Sequence, residues 1–357
     1  MRPIHGGNLA WAAALAGCPP DAILDFSASI SPLGPPQSAI AAILAHLDNL
    51  SYYPDPNYGE LRAALGQLHQ FPSEWILPGN GSAELLTWAG WDLAKLAVTA
   101  LITPAFGDYW RSLKAFNAKV IECPLYFRDQ RSETNLDLNA PLLSYSLNEC
   151  GLLLNNPHNP TGKLFLRETI LPYLEQFALV VVDEAFMDFL PPDQEQSLIP
   201  LVQKYPNLVI LRSLTKFYSL PGLRLGYAIT HPHRLQRWQE LRDPWPLNTL
   251  AAAAAVAVVQ DTEFQQQTWA WLPPTRSQLF QSLAQLPGLQ PLKSAANFLL
   301  VHSEQPSSQV QQQLLKDHQI LIRDCLSFPE LGDRYFRVAV RSNEENERLV
   351  QALTTIY

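Results

Sequence analysis

The chain has 357 residues, 47% of them hydrophobic and 16% charged, with a net charge of −8, a composition typical of a globular protein and not of a disordered one. The negative charge argues against nucleic acid as a partner, and no apolar run is long enough to cross a membrane. The four cysteines show no metal-ligand spacing and the N-terminus has no signal peptide, so we expect a cytoplasmic protein without a metal site.

The first 82 residues alternate predicted helices with loops rich in Gly, Ser and Pro. A short helical pattern follows His5-Gly-Gly-Asn8, and helices are predicted over 37–46 and 60–69, separated by an aromatic, turn-rich loop over 52–59. The stretch Leu77-Pro-Gly-Asn-Gly-Ser82 then turns into another predicted helix. Backbone N–H groups at such a helix start bind anions, although an ordinary N-cap with glycines in the turn explains the motif equally well.

From residue 97 onward, strand-like and helix-like patterns alternate. Alternation of this kind predicts an α/β domain with a mostly parallel sheet. The predicted strands are 98–102, 119–123, 151–155, 178–183, 208–211 and 224–230, and the predicted helices between them are 110–116, 166–177 and 199–204. Ligands of such sheets bind at the carboxyl ends of the strands, so polar residues that follow these strands are candidates for a site.

Three candidate groups follow predicted strands. The loop 155–162 offers amide donors, and Asp183 ends an apolar run, where a bare carboxylate needs a cationic partner such as a protonated pyridine nitrogen. Lys216 lies in a polar loop between two buried strands, where an amine with a lowered pKa forms a Schiff base with a carbonyl. Taken singly, each group has an ordinary explanation, because the loop is a turn, Asp183 caps the next turn and Lys216 is a solvated lysine.

The C-terminal part predicts a smaller α+β domain after two long helices. These helices cover 250–260 and 264–286, and they are followed by strand-like 297–301, helical 308–318, strand-like 320–324 and 335–341, and helical 344–353. We expect the chain to consist of three parts. An N-terminal segment (1–45) contributes to both the active site and the small domain. A large cofactor-binding domain (46–260) and the small domain itself (261–357) follow.

Five separated motifs resemble those of class I and II aminotransferases, the fold-type I pyridoxal-phosphate enzymes, and occur in that family's order over nearly the whole chain. They are Gly-Asn-Gly-Ser at 79–82, Asn-Asn-Pro-His-Asn-Pro-Thr-Gly at 155–162, Val-Asp-Glu-Ala-Phe at 182–186, Ser-Leu-Thr-Lys at 213–216 and Gly-Leu-Arg-Leu-Gly at 222–226. The resemblance implies an α/β large domain, whose mostly parallel mixed sheet is flanked by helices, and a small α+β domain. It also implies pyridoxal 5'-phosphate as the cofactor.

The resemblance implies roles for single residues as well. Lys216 would bind the cofactor covalently and later move the substrate proton, and Asp183 would pair with the pyridinium nitrogen. Asn159 would donate to the phenolic oxygen of the ring, and Phe106 would stack on the ring with Tyr109 near it. The cofactor phosphate would be held by Ser82, Ala83, Ser213, Thr215 and Arg224. The resemblance also implies a homodimer with shared active sites, in which Tyr53 would reach the cofactor phosphate of the neighbouring subunit.

Two branches of the family fit the sequence, the threonine-phosphate decarboxylases and the histidinol-phosphate aminotransferases. The sequence resembles the decarboxylases more closely than the aminotransferases in several places. These are the opening His5-Gly-Gly-Asn8, Asp25-Phe-Ser-Ala, Phe186, where many relatives carry Tyr, and Arg337-Val-Ala-Val-Arg. The resemblance therefore implies decarboxylation of L-threonine O-3-phosphate to (R)-1-amino-2-propanol O-2-phosphate in cobalamin biosynthesis. Histidinol-phosphate transamination, or a related class I/II transamination, is the alternative.

A small anionic amino-acid phosphate is thus the expected substrate. Its two anionic ends would be positioned by Arg323 and Arg337, although a surface ion pair with Asp324 or a neighbouring residue is an alternative for Arg323. Known decarboxylases tend to carry Asn where this chain has Ser29, and a second Asn is replaced at Ser31, so a shorter serine would reach the ligand through water. The expected substrate-binding residues are His5, Gly6, Ser29, Asn159, Arg323 and Arg337. A cofactor-binding regulatory module is a further alternative, but such modules usually carry a DNA-binding domain, for which we expect no room in this chain.

Overall fold

The computed structural model describes residues 5–125, 136 and 138–357, so the first four residues of the predicted N-terminal segment lie outside the described part. The strands are β1 (Leu24–Asp25), β2 (Ile76–Asn80), β3 (Val98–Thr103), β4 (Val120–Pro124), β5 (Cys150–Asn155), β6 (Leu179–Asp183), β7 (Leu208–Ser213), β8 (Leu225–Ile229), β9 (Leu289–Pro291), β10 (Phe298–Ser303), β11 (Ile320–Leu321), β12 (Arg323–Asp324) and β13 (Tyr335–Ala339). The helices are α1 (Leu9–Ala16), α2 (Gln37–Ala45), α3 (Gly59–His69), α4 (Gly81–Leu93), α5 (Gly107–Lys114), α6 (Asn139–Leu142), α7 (Arg167–Gln176), α8 (Leu214–Phe217), α9 (Pro232–Leu241), α10 (Thr249–Val259), α11 (Thr262–Ala284), α12 (Ser307–His318) and α13 (Asn343–Thr354). Among the described residues, no helix combines the length and hydropathy that a membrane span requires.

A seven-stranded sheet forms the centre of the larger part, in the order β2-β8-β7-β6-β5-β3-β4. Strands β4, β3, β5, β6 and β7 run parallel, while β8 pairs antiparallel with both β7 and β2. Strands β5 and β6 are buried along their whole length. Their continuous apolar runs are what parallel strands covered on both faces require, since side chains on either face meet helices. The predicted mixed, mostly parallel sheet is therefore confirmed.

The central strands were predicted within one or two residues, but β2 was not predicted. Its Pro78 and Gly79 are typical of a turn, whereas the structure pairs Pro78 with Tyr227 of β8. Strand β2 is at the edge of the sheet, where a residue without an N–H group is tolerated. The predicted helix over 199–204 is also shorter than expected, because only a 3-10 turn, Ile199–Leu201, forms there.

The C-terminal strands form a second, antiparallel sheet with the order β12-β13-β10-β9. The predicted strand over 320–324 is divided between two sheets, since β11 pairs with β1 and β12 pairs with β13. Strand β1 thereby attaches the N-terminal segment to the C-terminal part, and Phe26 continues the attachment by accepting from Ala339 N at 2.9 Å. The predicted boundaries at residues 45 and 260 stay a prediction.

A buried ion cluster connects the ends of β6 and β7. Arg212 Nε donates to Glu184 Oε2 at 2.9 Å, and both side chains are almost fully buried. The other guanidinium nitrogens bind Asp188 and Glu195. Glu184 also accepts from Ser197 Oγ at 2.7 Å. Burial raises the pKa of Glu184, and the Arg212 charge opposes that rise, so Arg212 favours the ionised form of this buried carboxylate.

Replacing Arg212 by Met should destabilise the protein strongly, because three carboxylates would lose their common cation. Breaking a buried ion pair from one side costs about 3–5 kcal/mol. The matched control is Glu195→Gln, which removes a partner whose side chain is 30% exposed and should cost less than about 1 kcal/mol. Urea-induced unfolding at pH 7 measures both changes, and equal losses for the two variants would contradict this account of the cluster.

His158 is buried in the loop that follows β5. Its Nδ1 lies 2.8 Å from Thr161 Oγ1, and the loop closes when Gly162 N donates to His158 O at 2.6 Å. Burial, assisted by the charge of Lys163, lowers the pKa of His158 from 6.5 to about 3. The imidazole is therefore neutral in the folded protein at every pH above about 3.

The free energy of unfolding should fall as the pH drops below 6.5, the ordinary pKa of histidine. Below that value the unfolded chain takes up a proton at residue 158 that the folded protein does not, and at pH 5 this linkage amounts to about 2 kcal/mol. Unfolding measured at pH 7 and pH 5 should show a smaller pH dependence in His158→Gln than in wild type. The control is His233→Gln, at an exposed histidine of α9, which should leave the pH dependence unchanged. An unchanged pH dependence in His158→Gln would refute the prediction.

Candidate active site

A cavity of about 380 Å³ opens at the carboxyl ends of β5, β6 and β7. These three strands are neighbours in the sheet, so the residues that follow them meet at one edge. The N-terminal segment and the C-terminal sheet close the other sides of the cavity. Of the sixteen residues predicted for the site, fourteen line the cavity, namely His5, Gly6, Ser29, Ser82, Ala83, Phe106, Tyr109, Asn159, Asp183, Thr215, Lys216, Arg224, Arg323 and Arg337.

Lys216 lies in the short helix α8, directly after β7. Its Nζ donates to Ser213 Oγ at 3.1 Å, and the same oxygen lies 2.8 Å from Thr215 Oγ1. Ser213 thus contacts Lys216 although it does not line the cavity itself. Burial lowers the pKa of Lys216, Asp183 opposes this shift, and the charges of Arg224 and Arg337 add to it. A lysine with a lowered pKa is more often neutral and is therefore a better nucleophile toward a carbonyl.

Asp183 is the last residue of β6 and is buried. Its Oδ2 accepts from Tyr109 Oη at 2.8 Å, and its Oδ1 accepts from Ala185 N at 3.0 Å. Burial raises the pKa of Asp183, and the Lys216 charge and these hydrogen bonds oppose the rise. A carboxylate in this environment stabilises a cation that enters the cavity, and a protonated ring nitrogen would be such a cation.

Asn159 is held by two other residues of the site. Its backbone N donates to Asn155 Oδ1, and its side-chain Oδ1 accepts from Arg337 Nη1 at 2.5 Å. Asn155 in turn donates from Nδ2 to Asp183 O at 2.8 Å. Because the amide oxygen of Asn159 is engaged by Arg337, its NH₂ group remains to donate into the cavity. That orientation suits the predicted bond to a ring oxygen.

The start of α4 lies close to Arg224. Gly81 has φ +75°, and a Cβ on it would lie 2.7 Å from Arg224 Nη2. A Cβ on Gly226 would lie 2.3 Å from Ser82 N. Both glycines therefore allow the start of α4 to approach Arg224 and β8 closely. The first backbone N–H groups of α4, with the Thr215 hydroxyl and the Arg224 guanidinium, form a donor set that suits a phosphate dianion.

Aromatic rings form one wall of the cavity. Phe106 contacts Tyr109 edge to face with ring centroids 5.7 Å apart, and His5 lies 5.6 Å from Phe106. On another side, Phe186 packs edge-on against Phe298 at 5.0 Å, and Lys216 Nζ lies 5.7 Å from the centroid of Phe186. A phosphate cradle, an amide donor, a carboxylate, a lysine and a flat aromatic wall together fit pyridoxal phosphate.

Two arginines of the C-terminal sheet lie directly opposite each other across β12 and β13. Arg323 and Arg337 are register partners in this antiparallel pair, so their side chains lie on the same face of the sheet. Both are buried and both line the cavity. Like charges placed opposite each other are destabilising, and an anion between them would remove the repulsion.

The surroundings of the two arginines differ. Arg323 Nη2 donates to Ser327 Oγ at 2.6 Å. Arg337 donates to Asn159 and, from Nη2, to Ser27 O at 3.3 Å, while its Nε has no hydrogen-bond partner among the described residues. Burial lowers the pKa of Arg337 to about 10, with a further contribution from the Arg323 charge. Because Arg323 is only 7% exposed, the alternative of a surface ion pair does not describe it.

The N-terminal segment lies against the cavity through its glycines and serines. A Cβ on Gly6 would lie 2.3 Å from Ser27 O, so only glycine allows this close approach. Ser29 is 5% exposed, and its Oγ has no hydrogen-bond partner among the described residues. Since Ser29 also lines the cavity, its hydroxyl is available to a ligand. Ser31 lies outside the lining, and its backbone O accepts from Ser219 Oγ at 2.7 Å.

Tyr53 is the one predicted site residue that lies away from this chain's own cavity. Its side chain is 79% exposed and stacks on Trp245 with ring centroids 4.5 Å apart. Its predicted role in a neighbouring subunit stays a prediction.

Several residues that line the cavity were not predicted from the sequence, namely Ser27, Asp108, Ser327 and Phe328. Asn155, the first residue of the candidate loop 155–162, does line the cavity, although no role was assigned to it. Ser327 and Phe328 lie in the loop after β12, where the sequence carries no motif that indicates a site.

Comparison with known proteins gives three consistent results. The sequence matches the family described as aminotransferase class I and II over residues 21–353. It is 40% identical to the threonine-phosphate decarboxylase of Salmonella typhimurium over 357 residues, which cover 99% of this chain and 96% of that protein. It is also 30% identical to the adenosylcobalamin biosynthesis bifunctional protein CobDQ of Leptospira interrogans, over 99% of this chain and 41% of that protein.

Among solved structures, the histidinol-phosphate aminotransferase of Sinorhizobium meliloti in complex with pyridoxal-5'-phosphate has the same fold. The TM-score is 0.85 at 22% identity, and the likeness covers 100% of this chain and 97% of that one. With the family match and the arrangement of the cavity, these results lead to one conclusion. The chain belongs to the class I and II aminotransferase family of pyridoxal-phosphate-dependent enzymes.

Proposed function

We propose that this enzyme decarboxylates L-threonine O-3-phosphate to (R)-1-amino-2-propanol O-2-phosphate in cobalamin biosynthesis. The observation that supports it most is the pair of buried arginines, Arg323 and Arg337, in register across β12 and β13 at the cavity that holds Lys216. Two guanidinium groups suit a substrate with two anionic groups, and threonine phosphate carries a carboxylate and a phosphate. The 40% identity to the Salmonella decarboxylase supports the same reaction.

Lys216 would hold pyridoxal phosphate, which would supply an electron sink for the α-carbon of the substrate. Asp183 would keep a proton at the ring nitrogen, and Asn159 would donate to the ring oxygen. Arg323 and Arg337 would hold the two anionic ends and so set which bond of the α-carbon breaks. Breaking the bond to the carboxylate would release carbon dioxide and leave the electron pair of that bond at the α-carbon. The ammonium group of Lys216, free once the substrate amine has replaced it on the cofactor, would then protonate that carbon.

Histidinol-phosphate transamination is the alternative, and it would require the C–H bond of the α-carbon to break instead. The histidinol-phosphate aminotransferase of Symbiobacterium thermophilum is 34% identical over 90% of this chain, which is only moderately below the 40% identity to the Salmonella decarboxylase. The residues around Lys216 suit both reactions, so the choice depends on how the arginines hold the substrate.

Purified wild-type enzyme should release carbon dioxide from threonine phosphate and should form no glutamate from histidinol phosphate. Lys216→Ala should lose the visible absorption of the covalently bound cofactor and about 10³-fold in rate, since it removes the proton donor. The control is Lys114→Ala, at an exposed lysine of α5, which should match wild type in spectrum and rate. Glutamate formation without carbon dioxide would refute decarboxylation, and an unchanged spectrum in Lys216→Ala would refute the role of this lysine.

We further propose that two chains form a homodimer with shared active sites. Support comes from a group of large apolar side chains that are exposed on α2 and the loop after it, including Leu44, Leu50, Tyr52 and Tyr53. An exposed apolar patch of this kind is typical of a protein interface. Tyr53 lies in this patch, and from there it would reach the cofactor phosphate of the second chain.

Mixing two inactive variants tests the shared site. A chain with Tyr53→Ala and a chain with Lys216→Ala should each be much less active than wild type. After mixing and subunit exchange, half of the dimers are mixed and each has one intact site, so activity should recover to about a quarter of wild type. Light scattering gives the oligomeric state independently. If a confirmed mixed dimer recovers no activity, the proposed role of Tyr53 in the second chain's site is wrong.

The enzyme is also proposed to work in the cytoplasm. The described cysteines Cys18, Cys123, Cys150 and Cys325 are all free thiols, which suits a reducing compartment. Fractionation of cells that express the protein at its natural level tests this location.

A further inference from the structure

We propose that Ser327 is a specificity-determining residue, whose hydroxyl donates to the phosphate group of the substrate while Arg323 holds the same group. The proposal rests on the proposed function, because it names the residue that recognises one end of the threonine phosphate. Ser327 lies in a loop, outside the sequence motifs and outside the residues that would hold the cofactor.

The first step of the argument concerns the proton of Ser327. Its Oγ accepts from Arg323 Nη2 at 2.6 Å, so its own O–H must point elsewhere. Among the hydrogen bonds of the described residues, Ser327 Oγ takes part only as an acceptor. The side chain is half-buried and lines the cavity. The hydroxyl proton is therefore available to an anion that binds next to Arg323.

The second step concerns charge. Arg323 and Arg337 already lie opposite each other on β12 and β13, and the charge of Arg323 contributes to the lowered pKa of Arg337. A third cation in this position would increase the repulsion between these side chains. A hydroxyl adds a hydrogen-bond donor without adding charge, so it strengthens anion binding at a smaller cost to the unliganded protein.

The third step assigns the two ends of the substrate. Arg337 contacts Asn159, and its charge adds to the effect of burial that lowers the pKa of Lys216. In the N-terminal segment, burial lowers the pKa of His5, and the charge of Arg323 adds to that shift. Arg337 is thus placed near the point of covalent attachment and Arg323 farther out. In threonine phosphate the carboxylate is on the α-carbon and the phosphate is on the next carbon. This order places the phosphate at Arg323.

The fourth step explains the selectivity. One edge of a guanidinium group presents two N–H donors, which satisfy the two oxygens of a carboxylate. A phosphate monoester has three terminal oxygens, so one of them needs another donor. Ser327 is bound to the same guanidinium group, and it is therefore placed to serve that third oxygen. The Arg323–Ser327 pair favours a phosphate over a carboxylate for this reason.

The test compares Ser327→Ala, Ser327→Thr and a matched serine control, Ser277→Ala, which is exposed on α11. In the cofactor-loaded enzyme, Ser327→Ala should raise the KM for threonine phosphate about tenfold, the effect of one hydrogen bond to a charged group. The kcat should change less than about twofold, because the contact is made equally in the ground state and the transition state. Ser327→Thr keeps the hydroxyl and should restore most of the affinity, and Ser277→Ala should match wild type.

Binding without turnover separates this proposal from the proposed function. Inorganic phosphate, titrated calorimetrically into the cofactor-loaded enzyme, should bind about tenfold more weakly to Ser327→Ala than to wild type. L-Threonine, which lacks the phosphate, should bind equally to both, as followed by the cofactor absorption. Equal phosphate binding by both proteins would overturn the proposal, and so would a loss of L-threonine affinity in Ser327→Ala, since Ser327 would then serve the carboxylate. Absence of carbon dioxide release by wild type refutes decarboxylation, while the phosphate titration still decides the role of Ser327.

Discussion

The buried pair between Arg212 and Glu184 connects the ends of β6 and β7 directly behind the cavity. Glu184 follows Asp183, and Arg212 precedes Ser213, so the pair lies one residue away from two groups of the cofactor site. A buried pair with satisfied hydrogen bonds fixes the relative position of two strand ends more narrowly than apolar packing does. We therefore expect the relative position of Asp183 and Lys216 to depend on it. The residues of the ion cluster, Arg212, Glu184, Asp188 and Glu195, do not line the cavity themselves.

The cavity is assembled from three parts of the chain that are distant in sequence. The large sheet supplies the lysine, the carboxylate and the amides, the C-terminal sheet supplies Arg323 and Arg337, and the N-terminal segment supplies His5, Gly6 and Ser29. The pairing of β1 with β11 attaches the N-terminal segment beside the arginines. In the roles proposed above, cofactor chemistry and substrate recognition reside on different sheets, and the hydrogen bond from Arg337 to Asn159 connects the two sheets. This division suits a family in which one cofactor serves several reactions.

The two halves of the site differ in how far the sequence predicts them. Asn159, Asp183 and Lys216 each follow a long apolar run, and the rule that ligands bind at the carboxyl ends of parallel strands is enough to predict that they meet. The arginines could be named, but their register could not be predicted, because it depends on how the stretch 320–324 divides between β11 and β12. Strand β2 was missed because Pro78 and Gly79 favour turns, and only its place at the sheet edge explains how it tolerates them. Ser327 carries no local sequence pattern, and its proposed role follows only from its hydrogen bond with Arg323.

The arrangement of Arg323 and Arg337 also bears on how stable the enzyme is without its substrate. Two buried guanidinium groups placed opposite each other cost folding free energy, and natural proteins tolerate such a cost at sites that have a function. An anionic ligand that binds only the folded state increases the free energy of unfolding by mass action and so offsets this cost. The concentration of the phosphorylated amino acid in the cell would then influence how much of the enzyme stays folded. Abundance of the protein would in this way follow the supply of its substrate without a dedicated regulatory site.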